Sequence, residues 1–231
     1  MKALIYKEFK LALHPVCIIF ILLFPFMILI PNYPLAIGFI YILAAYPILF
    51  LGANKGQQSN DLLYSVLQPV RKKDVVLARL ITVLTMQVTT IIIMSIIYPL
   101  ARLVNQNVIN QAIAMGQPAP TIPGLGFDSF VSIIAFGVIS FAIADLIYFP
   151  IYYRKGRSIV ASTIITIFVF AILICGFTIL LPLCFEGYMN FFGKCSVGIQ
   201  FIYLGIAVIL SAILHYFTYK LASKELEKVD F

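Results

Sequence analysis

Residues 159–181 read IVASTIITIFVFAILICGFTILL, a run with no charged side chain. In water such a segment has nowhere to hide. In hydrocarbon it can satisfy its backbone only by bonding to itself, as a helix of about 20 residues crossing a core of roughly 30 Å. Runs of this kind recur between polar clusters at 11–30, 34–53, 75–103, 129–153 and 197–219, with 158–181 completing a set of six. The 75–103 run is longer than a crossing needs, so its ends should project or tilt. With 62% of residues apolar and 11% charged, the chain has no material left for a separate soluble domain. The expected fold is all-α: one polytopic membrane domain over 1–231 with six transmembrane helices.

Orientation follows from the cations, because Lys and Arg near span ends are retained in the cytoplasm. With the N-terminus inside, Lys2, Lys7, Lys10, Lys55, Arg71, Lys72, Lys73, Arg79, Arg154, Lys155, Arg157, Lys220, Lys224 and Lys228 all fall inside; only Arg102 and Lys194 fall outside. An even number of spans then leaves both termini cytoplasmic. The net charge of +7 reads as an anchor on an anionic inner leaflet, and nucleic acid is not an expected partner.

Ahead of the first span, MKALIYKEFKLALH places Ile5, Phe9, Ala12 and Leu13 on one helical face and Lys7, Lys10 and His14 on the other. That pattern predicts an interfacial helix over 1–14, the alternative being the frayed start of the first span. A cleaved signal peptide is disfavoured, since the apolar run is long, lacks a small-residue cleavage site and leads almost directly into another span. Cys184 and Cys195 flank the last outer loop, CFEGYMNFFGKC. A disulfide on an oxidising face and two unpaired thiols are both open readings.

Catalytic and nucleotide motifs are missing. Gly52 and Gly56 around Lys55 lack the spacing and sequel of a phosphate loop, and neither His-Glu-x-x-His nor Gly-x-Ser-x-Gly occurs. The chain is therefore expected to be no enzyme by itself and to bind no cofactor or metal. Any ATP and Mg2+ would belong to another subunit.

Asp145 is the exception inside a span. It lies nine residues before Arg154, about 13 Å inward from the boundary. A carboxylate at such depth costs about 2.5–3.5 kcal/mol, so it should face the bundle interior or an aqueous cavity and find a partner. It could be a polar element of a substrate path or of a dimer seam, or a structural Asp satisfied by Tyr148 or Tyr152 on its own face. Pro25, Pro47 and Pro150 should bend their helices, and Gly137, Ala142, Ala144, Gly205 and Ala207 would permit close helix contact.

The longest inner loop, 54–74, contains SNDLLYSVLQPVRKKD. Ser59 or Asn60 can cap a short helix with Asp61 in its first turn, Pro69 stops it, and Asp74 caps the next span. Its polar positions are Gln57, Gln58, Asn60, Asp61, Ser65 and Gln68 rather than Lys or Arg. That favours a groove on a protein partner over the lipid surface.

The start MKALIYKEFK, the six-span plan and the inner loop LLYSVLQPVRKKDVVLARL together resemble the membrane-spanning subunit of type-2 ABC exporters, in particular the short bacterial permeases that export phenol-soluble modulins and antimicrobial peptides. The topological likeness covers nearly the whole chain; the motif-like likeness covers only those two stretches. One departure is Gln68, which separates Leu67 from Pro69.

The resemblance implies a coupling helix formed by Asp61, Leu62, Leu63, Tyr64, Val66 and Leu67, with Pro69 and Arg71 marking the return to the membrane. Arg154, Lys155 and Arg157 would make a second cytoplasmic contact, and the 184–195 loop would cap the exit. It also implies two ATPase subunits, a second permease chain, and an amphipathic peptide or lipid-like substrate leaving a bacterial cell across its plasma membrane. Two rivals stand beside it: an ion-coupled transporter or channel using Asp145, and a non-transporting membrane anchor or sensor.

Overall fold

The computed structural model describes residues 2–12, 71–116, 130–154, 159–175 and 196–228. These segments are helices, with no strand among the described residues: α1 (Lys2–Ala12), α2 (Lys72–Ala114), α3 (Phe130–Arg154), α4 (Ile159–Cys175) and α5 (Val197–Glu227). Three of them, in α2, α3 and α5, are long and apolar enough to cross a membrane. They correspond to the expected third, fourth and sixth spans. The expected first two spans lie outside the described residues from position 13 onward.

α2 is 43 residues long, about 64 Å, twice the thickness of a hydrocarbon core. It outruns its apolar run because Asn105, Gln106, Asn107, Asn110 and Gln111 end the hydropathy signal without ending the helix. Pro99, an interior proline absent from the expected set of kinks, is carried inside this helix. The helix starts one turn earlier than expected. Arg71 occupies the cap position, accepting from the Asp74 amide at 2.9 Å, and Asp74 sits in the first turn, opposite the positive end of the dipole. The hydroxyls along α2 are absorbed locally: Thr82, Thr85, Thr89, Thr90 and Ser95 each donate to the carbonyl four residues back at 2.7–3.0 Å. That is how a segment reading TVLTMQVTT can sit in an apolar medium.

α3 is the most enclosed of the spans and packs most extensively on α5, then on α4. Its small residues Gly137, Ala142 and Ala144 are buried, as expected of a helix approached closely. α5 turns one narrow edge inward, with Gln200, Ala207, His215, Thr218, Ala222 and Leu226 buried at spacings of three, four, seven or eight residues. Between Phe201 and Phe217 most of the rest of its surface is exposed and apolar, including Ile202, Ile209 and Ile213. Of the two small residues expected to permit contact on this helix, Ala207 is fully buried, whereas a side chain at Gly205 would meet nothing within 4 Å. α5 is thus polar and small inside and greasy outside, the arrangement that hydrocarbon solvent favours.

α2 and α3 run antiparallel and are joined at three levels. Tyr98 stacks on Phe130 with ring centroids 3.9 Å apart, Gln87 meets Asp145, and Arg79 meets Tyr152. The start of α2, the end of α3 and the end of α5 consequently lie at one end of the bundle, with α1 beside them.

Candidate functional sites

Two polar clusters punctuate this apolar body. The first lies where α1 meets α2. Leu4 and Glu8, one turn apart, form the buried edge of α1, while Tyr6 is exposed. The inward face is therefore not the one centred on Ile5 and Phe9 that hydrophobicity alone suggests; Ile5 and Phe9 are only partly buried. The reason is Arg79. Its guanidinium donates from Nε to Glu8 Oε2 at 2.9 Å and from Nη2 to Glu8 Oε1 at 3.1 Å, and its Nη1 reaches the Tyr152 hydroxyl at 3.5 Å. Both ions are almost wholly buried, and the paired fork satisfies guanidinium and carboxylate together. Arg79 is thus an internal tie rather than one of the cations available to an anionic leaflet.

Aromatic rings wall in this ion pair. Tyr148, Phe149, Tyr152 and Tyr153 are fully buried, with Tyr152 and Tyr153 edge to face at 5.0 Å and Tyr148 stacked on Tyr152 at 6.2 Å. At the same end, Lys73 Nζ lies 3.2 Å from Glu227 Oε1, and Lys72 Nζ reaches the Glu227 carbonyl at 3.5 Å. The first two turns of α2 are thereby bound to α1 on one side and to the last turn of α5 on the other.

The second cluster lies inside the bundle and is built from three helices. Asp145 of α3 is fully buried, and its Oδ2 accepts from Gln87 Nε2 of α2 at 3.0 Å and contacts His215 Nε2 of α5 at 3.0 Å. His215 Nδ1 in turn lies 2.7 Å from the Ser211 carbonyl and 3.2 Å from the Ser211 hydroxyl. The prediction that Asp145 faces inward and finds partners holds. The partners expected on its own helix are superseded: the carboxylate is engaged across helices by His215 and Gln87. A sequence reading limited to neighbours three, four or seven residues away could not reach a histidine seventy positions on. The available signal was His215 itself, an ionisable residue in the middle of an apolar run.

Of the other expected site residues, Arg71 and Arg154 are exposed at the end of the bundle that carries Glu8 and Lys73. Asp61, Leu62, Leu63, Tyr64, Val66, Leu67 and Pro69 lie outside the described residues, as do Lys155, Arg157, Cys184 and Cys195. No group of His, Cys, Asp and Glu able to hold a metal occurs among the described residues.

Residues 3–221 match a family model described as ABC-2 family transporter protein. Neither the curated proteins nor the solved structures yield a match to the chain.

Proposed function

Since the chain belongs to the ABC-2 transporter family, a membrane family whose members partner an ABC ATPase, we propose that it is a permease exporting amphipathic peptides or lipid-like molecules from a bacterial cell. It sits in the plasma membrane with both termini inside and works as a pair of permease chains with two ATPase subunits. ATP and Mg2+ bind on those subunits. The cargo class rests on the resemblance of the N-terminal stretch and the inner loop to short peptide-exporting permeases.

The observation that carries the coupling mechanism is the anchoring of α2. The 54–74 segment, for which the sequence predicts a short helix over 61–67, leads into a helix whose first turns are tied to α1 through Glu8 and Arg79 and to α5 through Lys73 and Glu227. A partner that pulls on the loop would move α1 with α2 through the buried Glu8–Arg79 pair, with the half-exposed Lys73–Glu227 pair a weaker tie to α5. Closure of the ATPase pair would displace α1, α2 and α5 as one unit, and the antiparallel contacts along α3 would carry the shift through the membrane.

The test is co-purification with the cognate ATPase. Leu63→Glu with Leu67→Glu should abolish it while leaving membrane insertion intact, because two charges on the apolar edge of the two-turn helix that the sequence predicts would be incompatible with a groove. Retained binding would refute docking through this helix. The peptide or lipid that stimulates ATP hydrolysis by the assembled complex would identify the cargo.

A further inference from the structure

One row of residues on α5 changes character without changing direction. Ile202, Ile206, Ile209, Ile213 and Phe217 follow one another at intervals of three or four, so they line a single face, and all are exposed. The same intervals carry the row on to Lys220 and Lys224, which are exposed too. This face lies opposite the edge that α5 buries through His215, Thr218 and Ala222. From Val197, where the helix starts, to Lys220 is about 34 Å, against roughly 30 Å for a hydrocarbon core. The row therefore turns from apolar to cationic at the depth where hydrocarbon gives way to headgroups. Tyr216, exposed and edge to face with Phe217 at 6.0 Å, sits at this level, where membrane proteins place amphipathic rings.

The charge on the two lysines is not taken up within the bundle. The carboxylates near the end of α5 are engaged by other lysines: Glu225 by Lys228, at 2.6 Å, and Glu227 by Lys73, at 3.2 Å. Lys224 adds to the positive field at Glu225 without bonding to it. Among the described residues, neither Lys220 nor Lys224 has an ion-pair or hydrogen-bond partner. Four positions apart on one helical face, their side chains start about 5–6 Å from each other, close enough for one phosphate to lie between two ammonium groups. A second permease chain is a poor occupant for this face. Two chains inserted in the same sense pair about an axis normal to the membrane, so a seam along the row would set Lys220 against its own copy, and Lys224 likewise. A soluble partner is kept from Ile202 to Phe217 by the membrane itself.

We propose that the outer face of α5 is a lipid-facing surface, and that Lys220 and Lys224 at its end bind the headgroup phosphate of anionic phospholipids. Acyl chains cover Ile202 to Phe217, while the lysine stems run along the acyl boundary and carry their ammonium groups to the phosphates. The bound headgroup fixes the depth of α5 at the end of the bundle where the start of α2 is tied to it. The seam between paired permease chains then forms on helices other than α5. The inference rests on the chain being a membrane permease whose α5 crosses the bilayer. It does not depend on the cargo, on the ATPase or on the side at which α5 ends.

The chain contains no tryptophan, so Phe217→Trp places a single fluorescent reporter in the row, one turn from Lys220. The full-length protein is reconstituted in vesicles of phosphatidylcholine and phosphatidylglycerol in equal parts, with bromine on the acyl chains of one lipid or the other. Brominated chains quench an indole they touch. Both lipids are expected to quench, with a preference for brominated phosphatidylglycerol of about fivefold for each lysine engaged, falling as salt is raised. Lys220→Gln with Lys224→Gln should abolish the preference and keep the quenching; Lys220→Arg with Lys224→Arg should keep both. Absence of quenching by either lipid would mean that protein covers the face, and equal quenching by the two would mean lipid without a headgroup site. Each result overturns the proposal. A preference that survives the glutamine substitutions overturns it as well, since other cations would then be the source. Both leaflets have one composition and neither ATPase nor cargo is present, so the result stands apart from the co-purification test of the coupling helix.

Discussion

Glu8–Arg79 and Asp145–His215 are both buried acid–base pairs between helices, yet they bind their helices in different ways. Arginine never releases its proton inside a protein, so α1 can leave α2 only by stranding two full charges. Asp145–His215 is instead part of a three-helix cluster, with Gln87 of α2 donating to the same carboxylate oxygen. The first pair therefore makes a permanent joint between two helices near the bundle's end, and the second joins α2 and α5 to α3 in the middle of the bundle, at the seam between α3 and α5.

The largest effect that would break this contrast is expected at the permanent joint. Arg79→Ala leaves Glu8 buried without its partner and should cost about 3–5 kcal/mol, read as a fall in the melting temperature of the detergent-solubilised protein. Adding Glu8→Ala should recover much of the loss, since the stranded charge is then gone. Glu8→Gln is the sharper comparison, because it keeps shape and removes charge as Asp145→Asn does. With Arg79 still ionised, Glu8→Gln should cost about 1.5–3 kcal/mol, while the loss in Asp145→Asn should be smaller, because its amide oxygen can still accept from Gln87. Equal losses at the two sites would erase the distinction between the two-helix and the three-helix pair.

Packing at the seam can be tested without touching either charge. Ala207→Leu forces a large side chain into the fully buried edge of α5 and should cost about 1–3 kcal/mol. Gly205→Ala, two residues away where nothing lies within 4 Å of an added carbon, should leave melting unchanged and serves as the control. Matching losses at both positions would mean that α5 is covered on its outer face.

The contrast between the pairs also explains what the sequence disclosed and what it withheld. The spans that became α2, α3 and α5 were legible because hydrocarbon length is a local property, countable along the chain. Their ends were less so. α5 continues to Glu227 because KLASKELE keeps strong helix formers after the apolar signal has stopped, whereas α2 continues to Ala114 through VNQNVINQAIA, rich in weak helix formers but free of Gly and Pro until Gly116, where φ is 68°. The inward orientation of Asp145 followed from its cost in hydrocarbon, but its partners are long-range and no periodicity encodes them. Glu8 was obscured for the opposite reason. A helical-face reading sorts carboxylates outward, and the deciding fact, an arginine seventy-one residues later at the same level, is tertiary.

The smallest expected effect concerns the tie between α2 and the end of α5. Lys73 and Glu227 are about half exposed, so their pair should contribute only about 0.2–1 kcal/mol, and salt should weaken it further. Lys73→Ala is therefore expected to leave melting almost unchanged. Its value lies in coupling: if the loop drives α1, α2 and α5 as a unit, cutting the α5 tie should reduce cargo-stimulated ATP hydrolysis by the assembled complex more than it reduces stability. The buried Glu8–Arg79 pair would still hold α1, so the loss should be partial. An unchanged stimulation would show that α5 follows α2 through packing around Ala222 and Leu226 alone, and that the surface ion pair transmits nothing.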